Sequence, residues 1–241
     1  MSNFILPQWP APARVMALVT TRAGGTSGGP WTSLNLGDHV GDSPAQVAEN
    51  RRLLRKHLPS DPVWLSQLHG TGCVDAAEAK AGAKADASFC RKPGIVCAVL
   101  TADCLPVLLC DEAATVVGAV HAGWRGLAAG VIESAVTAMA VPGSTLMAWL
   151  GPAIGPKVFE VGPEVRSAFV THDIQAASAF VPGSKGKWYC DIHTLAHRRL
   201  NKLGICRVAS ADFCTAQDTE RFYSYRRERI TGRMASCIWL E

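Results

Sequence analysis

Three side chains able to bind a soft or borderline metal stand where apolar runs break into turns: His69, Cys104 and His121. Thiolate and imidazole are common zinc ligands, and a catalytic zinc keeps three protein ligands with a fourth position open. A metal in such a His₂Cys set would lower the pKa of a bound water to about 7 or polarise a substrate oxygen, which brings hydrolysis, deamination and phosphorolysis within reach. In Thr101-Ala102-Asp103-Cys104-Leu105-Pro106 a strand is halted by a turn. In His121-Ala122-Gly123-Trp124-Arg125-Gly126 small residues let the backbone pass close to a ligand. The gaps of 35 and 17 residues between the three form no local metal signature. Two other readings of the same residues therefore stay open. One is a pair of ordinary hydrogen-bonded histidines with a core thiol. The other is a Cys104 nucleophile with His121 as its base and His69 a bystander, since imidazole activates a thiol without a metal.

These residues need elements to hold them. Residues 15–20 read as a strand and 22–37 as a long loop rich in Gly, Ser and Thr. Ser43-Pro44-Ala45-Gln46 reads as a capping box with proline at the first helical position; Val47, Leu54 and Leu58 supply the helical stripe, and Pro59 ends it. Residues 63–68 read as a strand that delivers Gln67-Leu68-His69-Gly70. Further short strands are expected over 95–101, 107–110 and 115–120, apolar on both sides of the alternation as in strands covered on both faces. A helix over 127–140 is stopped by Pro142-Gly143, and a strand over 145–150 runs into the Gly/Pro turn of 151–156. Asp191 can cap a helix to Leu203 with Gly204 at its C-terminal cap, and strands follow over 205–209 and 233–240. No internal repeat, low-complexity tract or linker interrupts this order, so residues 1–241 are expected to form a single α+β domain.

Composition bounds the function classes. A chain of 241 residues, 48% of them hydrophobic, can bury a core without disulfides or metal staples. A net charge of +4 with 18% charged residues is too mild to announce a polyanion, so nucleic acid is not an expected partner. The start, Met-Ser-Asn-Phe-Ile-Leu-Pro-Gln-Trp-Pro, has no basic leader and is broken by Pro7, Pro10 and Pro12, which argues against a signal peptide. No apolar run approaches the roughly 20 residues that a bilayer crossing requires, so no membrane partner is expected. Nine cysteines, an odd number with no C-x-x-C pair, fit a reducing cytoplasm. Cys97, Cys110, Cys206 and Cys237 lie in apolar runs and read as small buried hydrophobes. Nothing in the sequence specifies an oligomeric state.

Seven stretches, spread over most of the chain, carry a family resemblance. They are Thr20-Thr21-Arg22-Ala23-Gly24-Gly25, Ser33-Leu34-Asn35-Leu36-Gly37, Gln67-Leu68-His69-Gly70, Ala85-Asp86-Ala87, the Cys104 and His121 turns quoted above, and Ser224-Tyr225-Arg226-Arg227. With these the sequence resembles the YfiH-like proteins, also called the laccase-domain or multicopper polyphenol oxidase-like family. The resemblance implies a mixed-sheet α/β/β/α layered fold akin to the cysteine-hydrolase domain of a bacterial necrotizing toxin. It implies a catalytic zinc on His69, Cys104 and His121, with copper as the lesser alternative. The implied activity is phosphorolysis of purine nucleosides (adenosine, inosine, guanosine, methylthioadenosine), with adenosine deamination as a second reaction; nucleoside and phosphate are then the partners. A further implied role is peptidoglycan-precursor editing. The polyphenol oxidase label fits poorly, because three ligands including a thiolate do not make several copper sites and the sequence has no His-x-His pair.

Four more residues are site candidates. Arg22 suits a phosphate or leaving group, since its planar donors match oxyanions, although a solvent-exposed loop arginine is the plain alternative. Asn35 can fix a base or sugar or serve only its turn, and Arg125, inside the His121 turn, is a further substrate-binding candidate. Asp103 can act as acid, base or support for a ligating histidine, or cap its turn. His193 and His197, four apart on an expected helix, lack the glutamate of a H-E-x-x-H motif and read as an exposed face. The short mixed-sign run Arg226-Arg227-Glu228-Arg229 reads as a solvated turn or a substrate-facing edge.

Overall fold

The computed structural model describes residues 4–241, so Met1, Ser2 and Asn3, part of the start read above as no signal peptide, lie outside the described residues. The chain runs through β1 (Phe4–Ile5), β2 (Val15–Thr20), α1 (Pro44–Arg55), β3 (Cys73–Asp75), β4 (Ala87–Cys90), β5 (Cys97–Thr101), β6 (Leu105–Asp111) and β7 (Val117–Ala122). Helices α2 (Trp124–Ala129) and α3 (Val131–Met139) lead to β8 (Leu146–Leu150) and β9 (Glu160–Val161). Then come α4 (Pro163–Val170), β10 (Phe180–Pro182), β11 (Trp188–Cys190), α5 (Ile192–Lys202), β12 (Arg207–Ser210), α6 (Tyr225–Glu228) and β13 (Met234–Leu240).

Side-chain alternation in the strands decides the layering. One sheet, ordered β1-β2-β13-β5, is antiparallel throughout; the other, ordered β12-β8-β6-β7-β4-β3, is mixed, with β12 parallel to β8 and β3 parallel to β4. In β13, Ile238 and Leu240 face the second sheet, where they meet Leu108, Cys110, Val117, Ala119, Met147 and Trp149. Their neighbours Ala235, Cys237 and Trp239 face the other way, onto Leu54 and Leu58 in and after α1. On the far side of the second sheet, Val107, Leu109, Val120, Ala148 and Leu150 pack against α2 to α5 through Leu127, Ile132, Val165 and Leu195. The result is the expected α/β/β/α stack, an α+β fold with a mixed sheet. The strands are apolar on both faces because both faces of each sheet are covered.

Local departures from expectation have identifiable causes. Residues 63–68 make only isolated bridges, Val63 with Cys97 and Ser66 with Lys84, and no strand. The side-chain amide of Gln67 takes the place of ladder bonds, accepting from Leu100 N at 2.7 Å and donating to Leu100 O at 2.8 Å. The helix expected over 127–140 starts earlier and divides at Gly130, whose φ of 102° closes α2 and opens α3. Ser43 makes no side-chain cap; Asp42 instead accepts from its backbone N–H. Asp191 does cap α5, accepting from Thr194 N, and Gly204 follows the helix at φ 79°. Cys206 is exposed, unlike Cys97, Cys110 and Cys237, because it lies in the turn before β12. The small sheet β10-β11-β9 and helix α4 were not expected. Among the described residues no helix is long and apolar enough to cross a membrane.

Candidate metal centre

Antiparallel pairing gathers strand ends that are far apart in sequence. Leu105 at the start of β6 pairs with Ala122 at the end of β7, Ala87 at the start of β4 pairs with Val120, and Leu150 at the end of β8 pairs with Val107. In the other sheet, Met234 at the start of β13 pairs with Thr101 at the end of β5. These termini lie at one edge of the sandwich, and the turns there carry His69, Cys104 and His121. Their donor atoms all lie within 4.8 Å of one another, the one such group of His, Cys or acidic side chains found among the described residues. Cys104 Sγ is 3.9 Å from His69 Nε2, and the two imidazole rings meet edge to face with centroids 4.8 Å apart.

Asp86 organises this cluster. Its Oδ1 is 2.8 Å from His121 Nδ1, so that nitrogen carries the donated proton and Nε2 remains as the donor atom for a ligand. The same carboxylate accepts from the backbone N–H groups of Leu68, His69 and Gly70 at 3.1, 2.9 and 2.8 Å, holding the His69 turn. Burial works against the Asp86 charge, but the bonds from His121, Gly70 and Leu68 outweigh it and hold the carboxyl below its usual range. In the sequence Asp86 shows only as a lone acid between small apolar residues in Ala85-Asp86-Ala87, a local signal that gives it no role by itself.

Backbone conformation matters as much as side-chain identity. His69 and Asp103 both occupy the left-handed region, at φ 58° and 93°. Non-glycine residues there cost on the order of 1–3 kcal/mol each and persist only where their surroundings over-determine them. Asp86 does this for His69. Asp103 is held by its own carboxylate, which accepts from Thr215 Oγ1 at 2.6 Å, Ser224 Oγ at 3.0 Å and Arg226 N at 2.7 Å. Gly123 supplies close approach: a Cβ there would stand 2.8 Å from His69 Cδ2 and 3.1 Å from Cys104 Sγ.

The chemistry of the cluster suits a metal ion. Burial opposes the Cys104 thiolate, yet the adjacent His121 imidazolium and hydrogen bonds from both histidines bring the thiol down to about 6. His121 is raised to about 9, with burial opposing and Cys104 and Asp86 prevailing. By contrast burial alone pushes Cys237 up to about 12. A thiolate and two imidazoles, one oriented by a carboxylate, fit a borderline divalent ion.

Two cavities open on Cys104. One, of about 360 Å³, is lined by the three cluster residues with His39, Gln67, Leu100, Thr101, Ala102, Tyr225 and Arg233. The other, of about 130 Å³, is largely apolar and bounded by Trp124, Ile154, Phe159, Ile192, Tyr225 and Arg226. Arg125 is exposed and stacks with its guanidinium carbon 4.4 Å from the ring centroid of Trp124, which bounds this second cavity.

Two of the sequence candidates are not brought to the cluster. Arg22 pairs with Glu228 at 3.3 Å, donates to Thr32 O and Thr219 O, and covers the Tyr223 ring. Asn35 is fully buried; its amide serves Gly37, Asp42 and Arg233 N. His193 and His197 do not form an open face, since their Nε2 atoms bond Gly151 O and Ser210 Oγ, both at 3.1 Å. Arg226 is a brace, donating to Val158 O and Glu160 O, while its neighbour Tyr225 is the cavity wall. Tyr225 stands in the sequence only within the stretch Ser224-Tyr225-Arg226-Arg227, and neither it nor Arg233 has a local signal for the site, because neither adjoins a candidate ligand in the chain.

Comparison with known proteins gives the chain its relatives. The family described as multi-copper polyphenol oxidoreductase laccase matches residues 16–241. The chain is 54% identical over 242 residues to a purine nucleoside phosphorylase of Pseudomonas aeruginosa, with 100% of both covered. It is 52% identical over 243 residues to purine nucleoside phosphorylase YfiH of Escherichia coli, again with 100% of both covered. Among solved structures, a Neisseria meningitidis protein superimposes with a TM-score of 0.97 at 49% identity over 100% of both chains. YlmD from Geobacillus stearothermophilus does so with 0.90 at 28% identity, over 100% of this chain and 97% of that one. End-to-end similarity in sequence and in fold therefore leads to one conclusion: the chain belongs to the YfiH family of laccase-like domains.

Proposed function

We propose that this protein is a zinc-dependent purine nucleoside phosphorylase with adenosine deaminase activity, the ion held by His69, Cys104 and His121. The observation that carries this reading is the convergence of three donor atoms within 4.8 Å at a cavity, in a chain whose full-length relatives are named purine nucleoside phosphorylases. We take residues 1–241 as one catalytic unit, supported by β2 and β13, from opposite ends of the chain, pairing in one sheet. The absence of disulfides among nine thiols is compatible with a cytoplasmic setting, which belongs to the same proposal.

When bound, zinc supplies Lewis-acid charge at the cavity. The chain's own residues do the rest. Asp86 keeps the proton on His121 Nδ1 and the His69 turn in place. Trp124, Phe159 and Tyr225 offer aromatic faces on which a purine stacks, and Arg125 closes the rim over Trp124. Asp103 acts by positioning, tying Thr215, Ser224 and Arg226 to the Cys104 turn and so setting Tyr225. In phosphorolysis a phosphate oxygen bonds to the ribose C1′ as the C1′–N9 bond breaks. Its electron pair stays on the base, which takes up the proton released from phosphate. In deamination, water adds its oxygen at the purine C6 and ammonia leaves. The substrates in view are adenosine, inosine, guanosine and methylthioadenosine, small molecules and not nucleic acid or membrane.

One feature favours a second reading. Cys104, His121 and Asp86 also have the order of the nucleophile, base and orienting carboxylate that a metal-free cysteine hydrolase or peptidoglycan-precursor editing factor would use, with the thiol already near 6. His69 weighs against it, since such a triad has no use for a second imidazole 3.9 Å from the sulfur. Copper can occupy the same ligands, but one three-ligand cluster does not support the several copper sites of a polyphenol oxidase.

The deciding experiment measures bound metal and incubates the protein with adenosine or inosine, with and without phosphate. Free base and ribose 1-phosphate are expected only with phosphate, and inosine from adenosine without it. Chelation should abolish both reactions and zinc restore them. Turnover that survives chelation and dies on thiol alkylation supports the cysteine hydrolase; metal-replete protein inert to every purine nucleoside ends the phosphorylase reading.

A further inference from the structure

We propose that Arg233, assisted by His39, is the oxyanion subsite of the cavity and holds the phosphate that attacks the nucleoside, an inference that rests on the phosphorylase reading. Arg22, the sequence candidate for this task, is committed elsewhere, to Glu228 and two carbonyls. The other arginines near Cys104 are likewise engaged: Arg227 pairs with Glu228, and Arg226 donates to Val158 O and Glu160 O. Arg233 differs. It lines the same cavity as His69, Cys104 and His121, and its side-chain bonds are two, both from Nη1, to Thr231 O and Gly232 O. Among the described residues no carboxylate pairs with it, so Nε and Nη2 keep their donor capacity.

A half-buried guanidinium with no acidic partner is costly unless an anion completes it. The surroundings fix its place firmly. Arg233 N donates to the buried Asn35 at 3.0 Å. A Cβ on Gly37 would stand 2.8 Å from Arg233 Cγ, so that glycine makes room for the arginine stem. This gives Asn35 its part: it positions Arg233 instead of touching substrate. His39, its Nδ1 3.5 Å from Asp38 Oδ1, is the remaining basic group on the cavity wall outside the metal ligands and so plays the lesser part beside Arg233. Gln67, also on that wall, is occupied by Leu100. The division of the site follows. Tyr225 stands on the boundary of both cavities, with the aromatic cleft suited to the base on one side and the cationic cavity suited to phosphate on the other. Planar guanidinium donors match tetrahedral oxyanions in paired bonds.

The test uses metal-loaded wild-type, Arg233→Met and His39→Asn proteins. Inorganic phosphate alone is titrated by calorimetry, phosphorolysis is measured against phosphate and against inosine, and metal content and thermal unfolding are recorded. Loss of charged hydrogen bonds predicts a rise of about 10–100-fold in the phosphate KM of Arg233→Met. The inosine KM and metal content should stay within about twofold. His39→Asn should show a smaller rise in the same direction. If Arg233→Met fails to fold, His39→Asn decides: a weakened phosphate affinity supports the subsite and an unchanged one overturns it. A folded, metal-replete Arg233→Met with wild-type phosphate affinity and KM also overturns it. Wild-type protein that binds phosphate through Arg233 but cleaves no purine nucleoside keeps the subsite and ends the phosphorylase reading instead.

Discussion

At the scale of residues, Asp86 couples the two histidines of the cluster through a single carboxylate, its Oδ1 serving both His121 Nδ1 and His69 N. In Asp86→Asn any orientation of the amide aims N–H groups at existing donors, so both the tautomer of His121 and the His69 turn are disturbed. Metal affinity should fall about 10–100-fold in competition with a chromogenic chelator; an unchanged affinity would show that Asp86 only fills space. Cys104 has its own signature. In metal-free protein its thiolate ultraviolet absorbance should titrate near 6, and the signal should vanish in Cys104→Ser. The sign follows from the lowered pKa. The stabilisation from this thiolate is present in full above the ordinary thiol pKa and is lost as pH falls through about 6. Chelated protein should therefore lose unfolding midpoint more steeply than Cys104→Ser as pH drops through that value. The three candidate ligands were legible in the sequence, because soft donors at strand ends suggest a metal. Asp86 and Arg233 were not, because their roles depend on which backbone groups and empty space surround them.

At the scale of elements, the turn between β7 and α2 works because it has no side chain at Gly123. Gly123→Ala should abolish stoichiometric zinc binding by pressing on His69 and Cys104, while the circular dichroism of the folded protein is retained. Full zinc stoichiometry in this variant would mean the turn relaxes freely. Gly130 is a different case, since its φ of 102° is a backbone demand and not one of space. Gly130→Ala should lower stability by about 1–2 kcal/mol in denaturant unfolding, with metal content unchanged. The boundaries of β2, α5 and β13 follow the sequence patterns closely because caps and alternation are local properties. The strand expected at 63–68 does not form, because a side chain 33 residues away from its partner in sequence, Gln67, takes the ladder's bonds at Leu100. Nothing in the local pattern distinguishes those two outcomes.

At the scale of the molecule, the site depends on two sheets ending at one edge, and the sheets are held face to face by an apolar middle layer. Ile238 is fully buried there. Ile238→Ala should cost about 2–5 kcal/mol, read as a lower denaturant midpoint at unchanged slope. Zinc stoichiometry and turnover per folded molecule should be preserved. Loss of turnover in fully folded Ile238→Ala would show that the cluster senses sheet packing directly.

The sequence by itself determined the α+β class, strands β2, β5 to β8 and β13, helix α5, and the three residues able to ligate a metal, since composition, periodicity and donor type are local facts. Only the tertiary structure decided that His69, Cys104 and His121 meet within 4.8 Å. It also decided that Arg22 and Asn35 are turned to structural work and that Arg233 faces the cavity. The physical reason is register. Antiparallel pairing of Leu105 with Ala122 and of Thr101 with Met234 sets which strand ends coincide, and burial then sets which polar groups are satisfied and which are left open to a ligand.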